Sequence, residues 1–227
     1  MKFIDLLNEE GLKLVVSCPK NDYEYVKAAW ENGADAVKIH LNVHHHASGT
    51  DFGSAAQERA FIEKVIANSP VPVGVVVGGS PEVVNDDLKN VLAHDFEFLS
   101  LYLHDATPQV VNQDKLTRMF ACSYAYSLDE IKMWSQIGAE VAELSIVHPD
   151  DYGKPLNMRD LLHYKQIIGA IDIPAALPTQ KKVRIEELGN IKDLGFKAIM
   201  IGAVVTGNEY EGFVETIKSF RAAIDAL

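Results

Sequence analysis

Short runs of Val, Ile, Leu and Ala recur along this chain. Each is followed by a longer stretch in which apolar residues return every three or four positions. The short runs fall at Lys13–Cys18, Ala36–Asn42, Val73–Val77, Phe98–His104, Arg118–Ser123, Val141–Val147, Ile173–Leu177 and Ala198–Ile201. Their length and branched content predict strands covered on their faces by helices. The helical pattern occupies Asp22–Asn32, Ser54–Asn68, Pro81–Leu92, Leu128–Ile137, Asn157–Ile168, Arg184–Leu194 and Glu211–Ala226. Ser80 before Pro81 reads as an N-cap with proline in the first turn. Gly33-Ala34-Asp35, Gly138-Ala139-Glu140 and Gly195-Phe196-Lys197 are similar helix-to-strand joints, a weak internal βα repeat. Alternating strands and helices without hairpin signals imply a parallel sheet. Eight such units predict an α/β fold, a single (β/α)8 TIM barrel. The 227 residues suit one barrel domain spanning 1–227. The first strand-to-helix joint, Cys18-Pro19-Lys20-Asn21-Asp22, lacks the glycine fingerprint of an open dinucleotide-binding sheet.

Several strands carry polar residues two apart, so these share one face. Lys38, His40 and Asn42 alternate with Val37, Ile39 and Leu41. Ser100, Tyr102 and His104 alternate with Leu99, Leu101 and Leu103; Glu143 and Ser145 alternate with Ala142, Leu144 and Ile146. The apolar sets belong against helices, which puts the polar sets inside the barrel. Titratable groups there need partners. The functional reading is a pocket for proton transfer beside a carbonyl, with Lys38, His40, His104 and Glu143 as catalytic candidates. The bland reading is a Lys38–Glu143 ion pair that fills the barrel. Asn42, Tyr102, Asp105 and Thr179 are candidate substrate contacts, and Asp105 is equally suited to cap a helix.

The last strand runs into Gly202-Ala203-Val204-Val205-Thr206-Gly207. A strand that breaks at glycine into a helical turn aims backbone amides at an anion. Barrels of this kind hold phosphate near their seventh and eighth strands. Lys181, just past the seventh, would add charge to Gly202 and Ala203 in a phosphate site. The segment from Asn42 to Gly53 contains three consecutive histidines, His44 to His46, and follows the second strand. Such a loop is placed to close over a substrate. Adjacent histidines do not converge on one ion, and no HxH or HExxH spacing accompanies them, so no metal or cofactor is assigned.

Composition narrows the partners. The formal net charge is −11, which repels nucleic acid and anionic membranes but not a small phosphorylated metabolite in a local pocket. With 48% hydrophobic and 23% charged residues the chain has material for a sizeable core. Two cysteines, Cys18 and Cys122, define no disulfide framework. The start, Met1-Lys2-Phe3-Ile4-Asp5, shows no signal-peptide pattern, and no run approaches membrane-span length, so a cytoplasmic location is expected. Self-association into a homo-oligomer is left open.

With these residues in view, the chain resembles the ribulose-phosphate-binding barrel superfamily and, distantly, the N-acylglucosamine-6-phosphate 2-epimerase family. The resemblance lies in Leu14–Cys18, in Ala36-Val37-Lys38-Ile39, in Ala121-Cys122-Ser123 and in Ile201–Thr206. The family carries a basic residue and then an acid in the second strand; here the acid's place is His40. Its third strand ends in a catalytic lysine, where this chain has Val75-Val76-Val77-Gly78-Gly79. Its seventh strand carries glutamate and glycine, where this chain has Thr179 and Gln180 before Lys181. The resemblance therefore implies the barrel and phosphate recognition but not 2-epimerisation. The expected function is an isomerase, epimerase or lyase acting on a small phosphorylated carbohydrate or related metabolite. The alternatives are a non-catalytic phosphometabolite-binding barrel, and a metal-dependent lyase or hydrolase using His104, Asp105 and His148.

Overall fold

A computed structural model describes residues 2–227 of the chain. Eight parallel strands close into a barrel: β1 (Lys13–Ser17), β2 (Ala36–His40), β3 (Val73–Val76), β4 (Phe98–Tyr102), β5 (Thr117–Ala121), β6 (Val141–Glu143), β7 (Ala175–Pro178) and β8 (Ala198–Ile201). Each pairs with its sequence neighbours, and β8 closes onto β1. Around this ring β2 lies opposite β6, and β4 lies opposite β8.

The barrel interior changes character along its axis. Val15, Ala36, Phe98, Met119, Val141, Ala176, Ala198 and Met200 form an apolar plug towards the strand N-termini. Helix α1 (Phe3–Asn8) covers this end, inserting Phe3, Leu6 and Leu7. Phe3 stacks on Phe98 with ring centroids 3.9 Å apart. The sequence reading did not foresee this short helix, because six residues are too few to show a period. A second, larger core separates the barrel from its outer helices. Towards the strand C-termini the inward positions become Ser17, Lys38, Ser100 and Glu143, and all are buried.

Local signals set the helix ends. Helix α2 (Tyr23–Glu31) is capped by Asp22, whose side chain accepts from the Glu24 amide. Helix α3 spans Arg59–Asn68, and helix α4 (Pro81–Leu92) is capped by Ser80 through the Val83 amide. The next three helices are α5 (Pro108–Val111), α6 (Leu128–Ile131) and α7 (Met158–Ile168). A capping box of Asn157 and Asp160 starts α7. Gly33, Gly138 and Gly195 share a left-handed backbone, with φ of 101°, 93° and 109°. That conformation ends a helix at little cost only for glycine, which is why the same joint recurs in sequence. The chain continues through α8 (Leu188–Leu194) and the single turn α9 (Ala203–Thr206), and ends in α10 (Tyr210–Asp225).

Three helical boundaries differ from the pattern. The stretch predicted over Leu128–Ile137 breaks into α6 and a separate turn at Ser135–Ile137. The stretch from Ser54 becomes helical only at Arg59. The segment from Arg184 opens as a tight turn before α8. Among the described residues, no helix is long and apolar enough to cross a membrane.

Candidate active site

A cleft of about 450 Å³ opens at the C-terminal ends of the strands. Its floor is an ion pair that spans the barrel. Lys38 on β2 and Glu143 on the opposite strand β6 approach to 3.4 Å between Nζ and Oε2. The Ser100 hydroxyl donates to Glu143 Oε2 at 2.7 Å, and the Ser145 hydroxyl donates to Oε1 at 3.0 Å. The pleat explains this convergence: Lys38, Ser100 and Glu143 all occupy inward positions just above the apolar plug. At 3.4 Å the Lys38 contact is longer than the ~2.7–2.9 Å typical of a tight charge-assisted bond. The ammonium thus has room to engage a ligand lying on the floor.

His40 is the next inward residue of β2. Its ring packs against His45 and Phe52, with centroids at 4.5 and 4.9 Å. Its Nε2 lies 3.4 Å from the Ser17 hydroxyl, and no hydrogen-bond partner reaches its buried Nδ1 among the described residues. Burial first, and then His45 and Lys38 charges, hold the His40 imidazole well below its usual range. Burial and the Lys38 charge lower His45 to about 4. Both rings are therefore neutral near pH 7, and His40 is poised as an acceptor rather than as an imidazolium.

That electrostatic state has a measurable consequence. An unfolded chain protonates these rings near pH 6.5, whereas the folded chain resists. Stability is fully present above that pH and falls as pH drops, until each folded ring protonates, at about 4 for His45 and at lower pH than usual for His40. The slope approaches ~1.4 kcal/mol per pH unit for each fully protected ring. Urea midpoints measured at pH 7, 6 and 5 should fall steadily in the natural protein. The fall should be much smaller when His40 and His45 are both phenylalanine; an unchanged slope would refute this account.

The histidine-containing loop is folded rather than open. His44–His45 and Thr50–Asp51 pair as a two-residue antiparallel ribbon. The Thr50 hydroxyl donates to the Pro19 carbonyl, and Asn208 Nδ2 donates to the Ser48 carbonyl. Asp87 on α4 holds the base of the loop, accepting from Asn42 Nδ2 and the Ala55 amide, each at 2.7 Å. At the tip, the His46 ring meets the edge of Tyr152, with centroids at 5.6 Å. Tyr152 comes from the loop after β6, so this contact bridges the mouth above the Lys38–Glu143 floor.

Four expectations need correction. Asn42 does not join Lys38 and His40 on the inner face. Its φ of 58° ends the strand alternation, and its side chain turns to Val77 O and Asp87. Lys181 is not in the cleft. The strand β7 ends at Pro178, and beyond the turn closed by the Gln180 amide on Pro178 O the buried Lys181 ammonium lies 3.6 Å from Asp160 on α7. Asp105 does not cap a helix, because Thr107 occupies the N-cap position of α5. His104, Asp105 and His148 do not form a metal-binding group, and no cluster of three or more such side chains occurs among the described residues.

The remaining candidates lie at the cleft. Tyr102 lines its wall, and burial raises its phenol pKa. His104 stands at the rim, 64% exposed, with its ring stacked on Tyr102 at 5.2 Å. Thr179 positions the β8 terminus, since its hydroxyl accepts from the Gly202 amide at 3.1 Å. This occupies one donor of the expected anion cradle. The amides of Ala203 and Val204, which line the cleft, donate to no protein group among the described residues. Gly202 has an ordinary extended backbone, and a Cβ there would lie 3.5 Å from Ser17 Cβ. Neither backbone strain nor packing demands this glycine, so what it leaves is space on the cleft side.

Sequence reasoning missed Tyr152 and the role of Gln180. Gln180 Nε2 donates to the Tyr152 hydroxyl, while the Val147 amide donates to Gln180 Oε1 at 3.1 Å. Strand alternation from Ala176 through Pro178 was the available signal for Gln180. Tyr152 had none, since a loop side chain obeys no period.

No protein-family model matches this sequence, and no curated protein sequence matches it. Solved structures match its fold. A thiamine phosphate pyrophosphorylase from Pyrococcus furiosus is 16% identical, with 95% of this chain and 96% of that one covered at a TM-score of 0.65. A mutant tryptophan synthase alpha-subunit from the same organism is 10% identical, covering 94% and 99% at 0.71. A phosphoribosyl anthranilate isomerase from Thermus thermophilus is 16% identical, covering 95% and 99% at 0.64. What they share with this chain is the barrel. At these identities the likeness establishes architecture and leaves chemistry to the site.

Proposed function

We propose that residues 2–227 act as one barrel unit that moves a proton beside a carbonyl on a small phosphorylated, carbohydrate-like metabolite. The observation that carries this reading is the Lys38–Glu143 pair at the cleft floor, with a lysine ammonium and a carboxylate within reach of one ligand. A substrate carbonyl would draw the Lys38 ammonium, which donates to the oxygen where negative charge develops. Glu143, still held by Ser100 and Ser145, would then take the proton from the adjacent carbon. The C–H electron pair forms a carbon–carbon double bond as the carbonyl π pair moves onto oxygen, giving an enolate. Reprotonation of the same carbon on its other face gives epimerisation. Where that carbon bears a hydroxyl, loss of the hydroxyl proton with reprotonation at the former carbonyl carbon gives isomerisation. Neutral His40 is an alternative carrier of the proton. The free amides of Ala203 and Val204, with the Ser17 hydroxyl, would receive the phosphate. The structural matches include enzymes named for phosphorylated compounds, which supports this choice of ligand class.

The competing reading is a barrel that binds such a metabolite without turnover. The three donors already on Glu143 favour it, because a satisfied carboxylate is a weaker base. Incubation with sugar phosphates in D2O separates the two. Ligands that bind should raise stability by about 2.7 kcal/mol at a hundred times their dissociation constant. Proton NMR should then show deuterium entering the carbon beside the carbonyl, with exchange lost in Glu143→Gln. Binding without exchange would leave only the second reading.

A further inference from the structure

The cleft contains one charged group that the chemistry above does not use. Asp105 follows β4, and its side chain is 9% exposed. Its own amide donates to Tyr102 O and fixes the turn that swings the side chain inward. Yet its carboxylate receives no hydrogen bond from any described residue. The nearest cationic candidate, His104 Nε2, is 3.9 Å from Oδ1, outside hydrogen-bonding distance. Asp105 nevertheless lines the cleft, alongside Tyr102, His104 and the open Gly79. A Cβ at Gly79 would meet nothing closer than Val43 Cγ1 at 3.9 Å, so the cleft wall at Gly79 is unfilled.

Buried polar groups in folded proteins are almost always hydrogen-bonded, and a carboxylate is the most costly to leave bare. The other buried carboxylates show the norm. Glu143 accepts from Ser100, Ser145 and Lys38; Asp87 accepts from Asn42, Ala55 and Asn90. Asp105 is the exception: no described residue donates to it, and its oxygens, not fully enclosed by protein, border the open cleft. Burial raises its pKa, against the opposing pull of His104.

We infer that Asp105 is the acceptor for a hydroxyl group at the end of the ligand remote from its phosphate. The barrel's symmetry supports this pairing. Asp105 stands at the end of β4, the free amides of Ala203 and Val204 stand at the end of β8, and these two strands face each other across the ring. Lys38 and Glu143 cross between them on β2 and β6. A ligand reaching from the β8 amides to Asp105 must therefore pass over the ion pair, beneath the His46–Tyr152 bridge. This selects an extended polyhydroxylated phosphate over a compact or apolar one, with its middle carbons at the reacting pair. The inference rests on the phosphate reading of the β8 end.

Calorimetric titration of the full chain with ribitol 5-phosphate, n-butyl phosphate and inorganic phosphate tests it. Ribitol 5-phosphate should bind at least tenfold more tightly than n-butyl phosphate, since a hydrogen bond to a charged group is worth about 1.5–3 kcal/mol. Asp105→Ala should weaken ribitol 5-phosphate about tenfold or more and leave the other two within twofold. Asp105→Asn should keep or raise the melting temperature of the free protein, because it removes a buried charge without a partner. Equal weakening of all three ligands, or a lower melting temperature for Asp105→Asn, would show a structural aspartate and overturn the inference. Inorganic phosphate and n-butyl phosphate failing to bind, with ribitol 5-phosphate bound and sensitive to Asp105, would refute the phosphate site while sparing the hydroxyl acceptor. No binding of any of the three would remove both.

Discussion

Lys38→Met will destabilise the protein by about 3–5 kcal/mol, because it leaves the Glu143 carboxylate buried without its counter-charge. In a chain of this size such a loss lowers the melting temperature by roughly 6–20 °C. Glu143→Gln will also destabilise, since it strands the ammonium on the barrel floor. The double variant Lys38→Met/Glu143→Gln should recover much of the loss. It removes both charges and leaves an amide whose oxygen accepts from one of the Ser100 and Ser145 hydroxyls and whose NH2 donates to the other, where both now donate to Glu143. Urea denaturation of the four proteins closes the cycle. The expected coupling is large and favourable, whereas additive losses would mean that the 3.4 Å contact contributes little to the fold. Deuterium exchange into a bound sugar phosphate should be lost in all three variants. A core that regains stability without regaining exchange separates the chemical role of the pair from its packing role.

The second large effect lies at the other end of the barrel. Gly74 on β3 points inward, and a Cβ built there would overlap the Phe98 ring. Phe98 cannot retreat freely, because its ring stacks on Phe3 at 3.9 Å within the apolar plug. Gly74→Ala should therefore cost about 3 kcal/mol or more, at or above the upper end of the usual overpacking range. The cause is volume, so a compensating cut should relieve it. Phe98→Leu alone should destabilise by leaving a gap against Phe3, and the pair Gly74→Ala/Phe98→Leu should be more stable than the sum of the two losses predicts. Thermal unfolding of the three variants checks this. If Phe98→Leu gives no relief, the strain is in the β3 backbone and not in the ring.

These two sites differ in how well the chain advertised them. Lys38, Ser100 and Glu143 were legible because each sits inside a strand, where the pleat alone decides the face. Gly74 passed unremarked, because a glycine in a strand carries no pattern and its meaning is the ring opposite. The candidates that failed, Asn42 and Lys181, lie at or past strand ends. Lys181 could not be placed by alternation, because β7 ends at Pro178 and a turn redirects the chain before Lys181 reaches Asp160. Asn42 could not be placed in that way, because its left-handed backbone depends on the loop that Asp87 anchors.

Periodicity along the chain was thus sufficient for the eight strands, most of their helical cover and the inward polar residues that lie within strands. All of these follow from contacts within a few residues, and a strand's side-chain direction repeats whatever it packs against. Ring closure decided the rest. It set Lys38 against Glu143, brought His46 over to Tyr152, and placed Asp105 across from the β8 amides. Those pairings join residues far apart in sequence. Their directions are fixed beyond the strand ends by loop hydrogen bonds, and no local period encodes those.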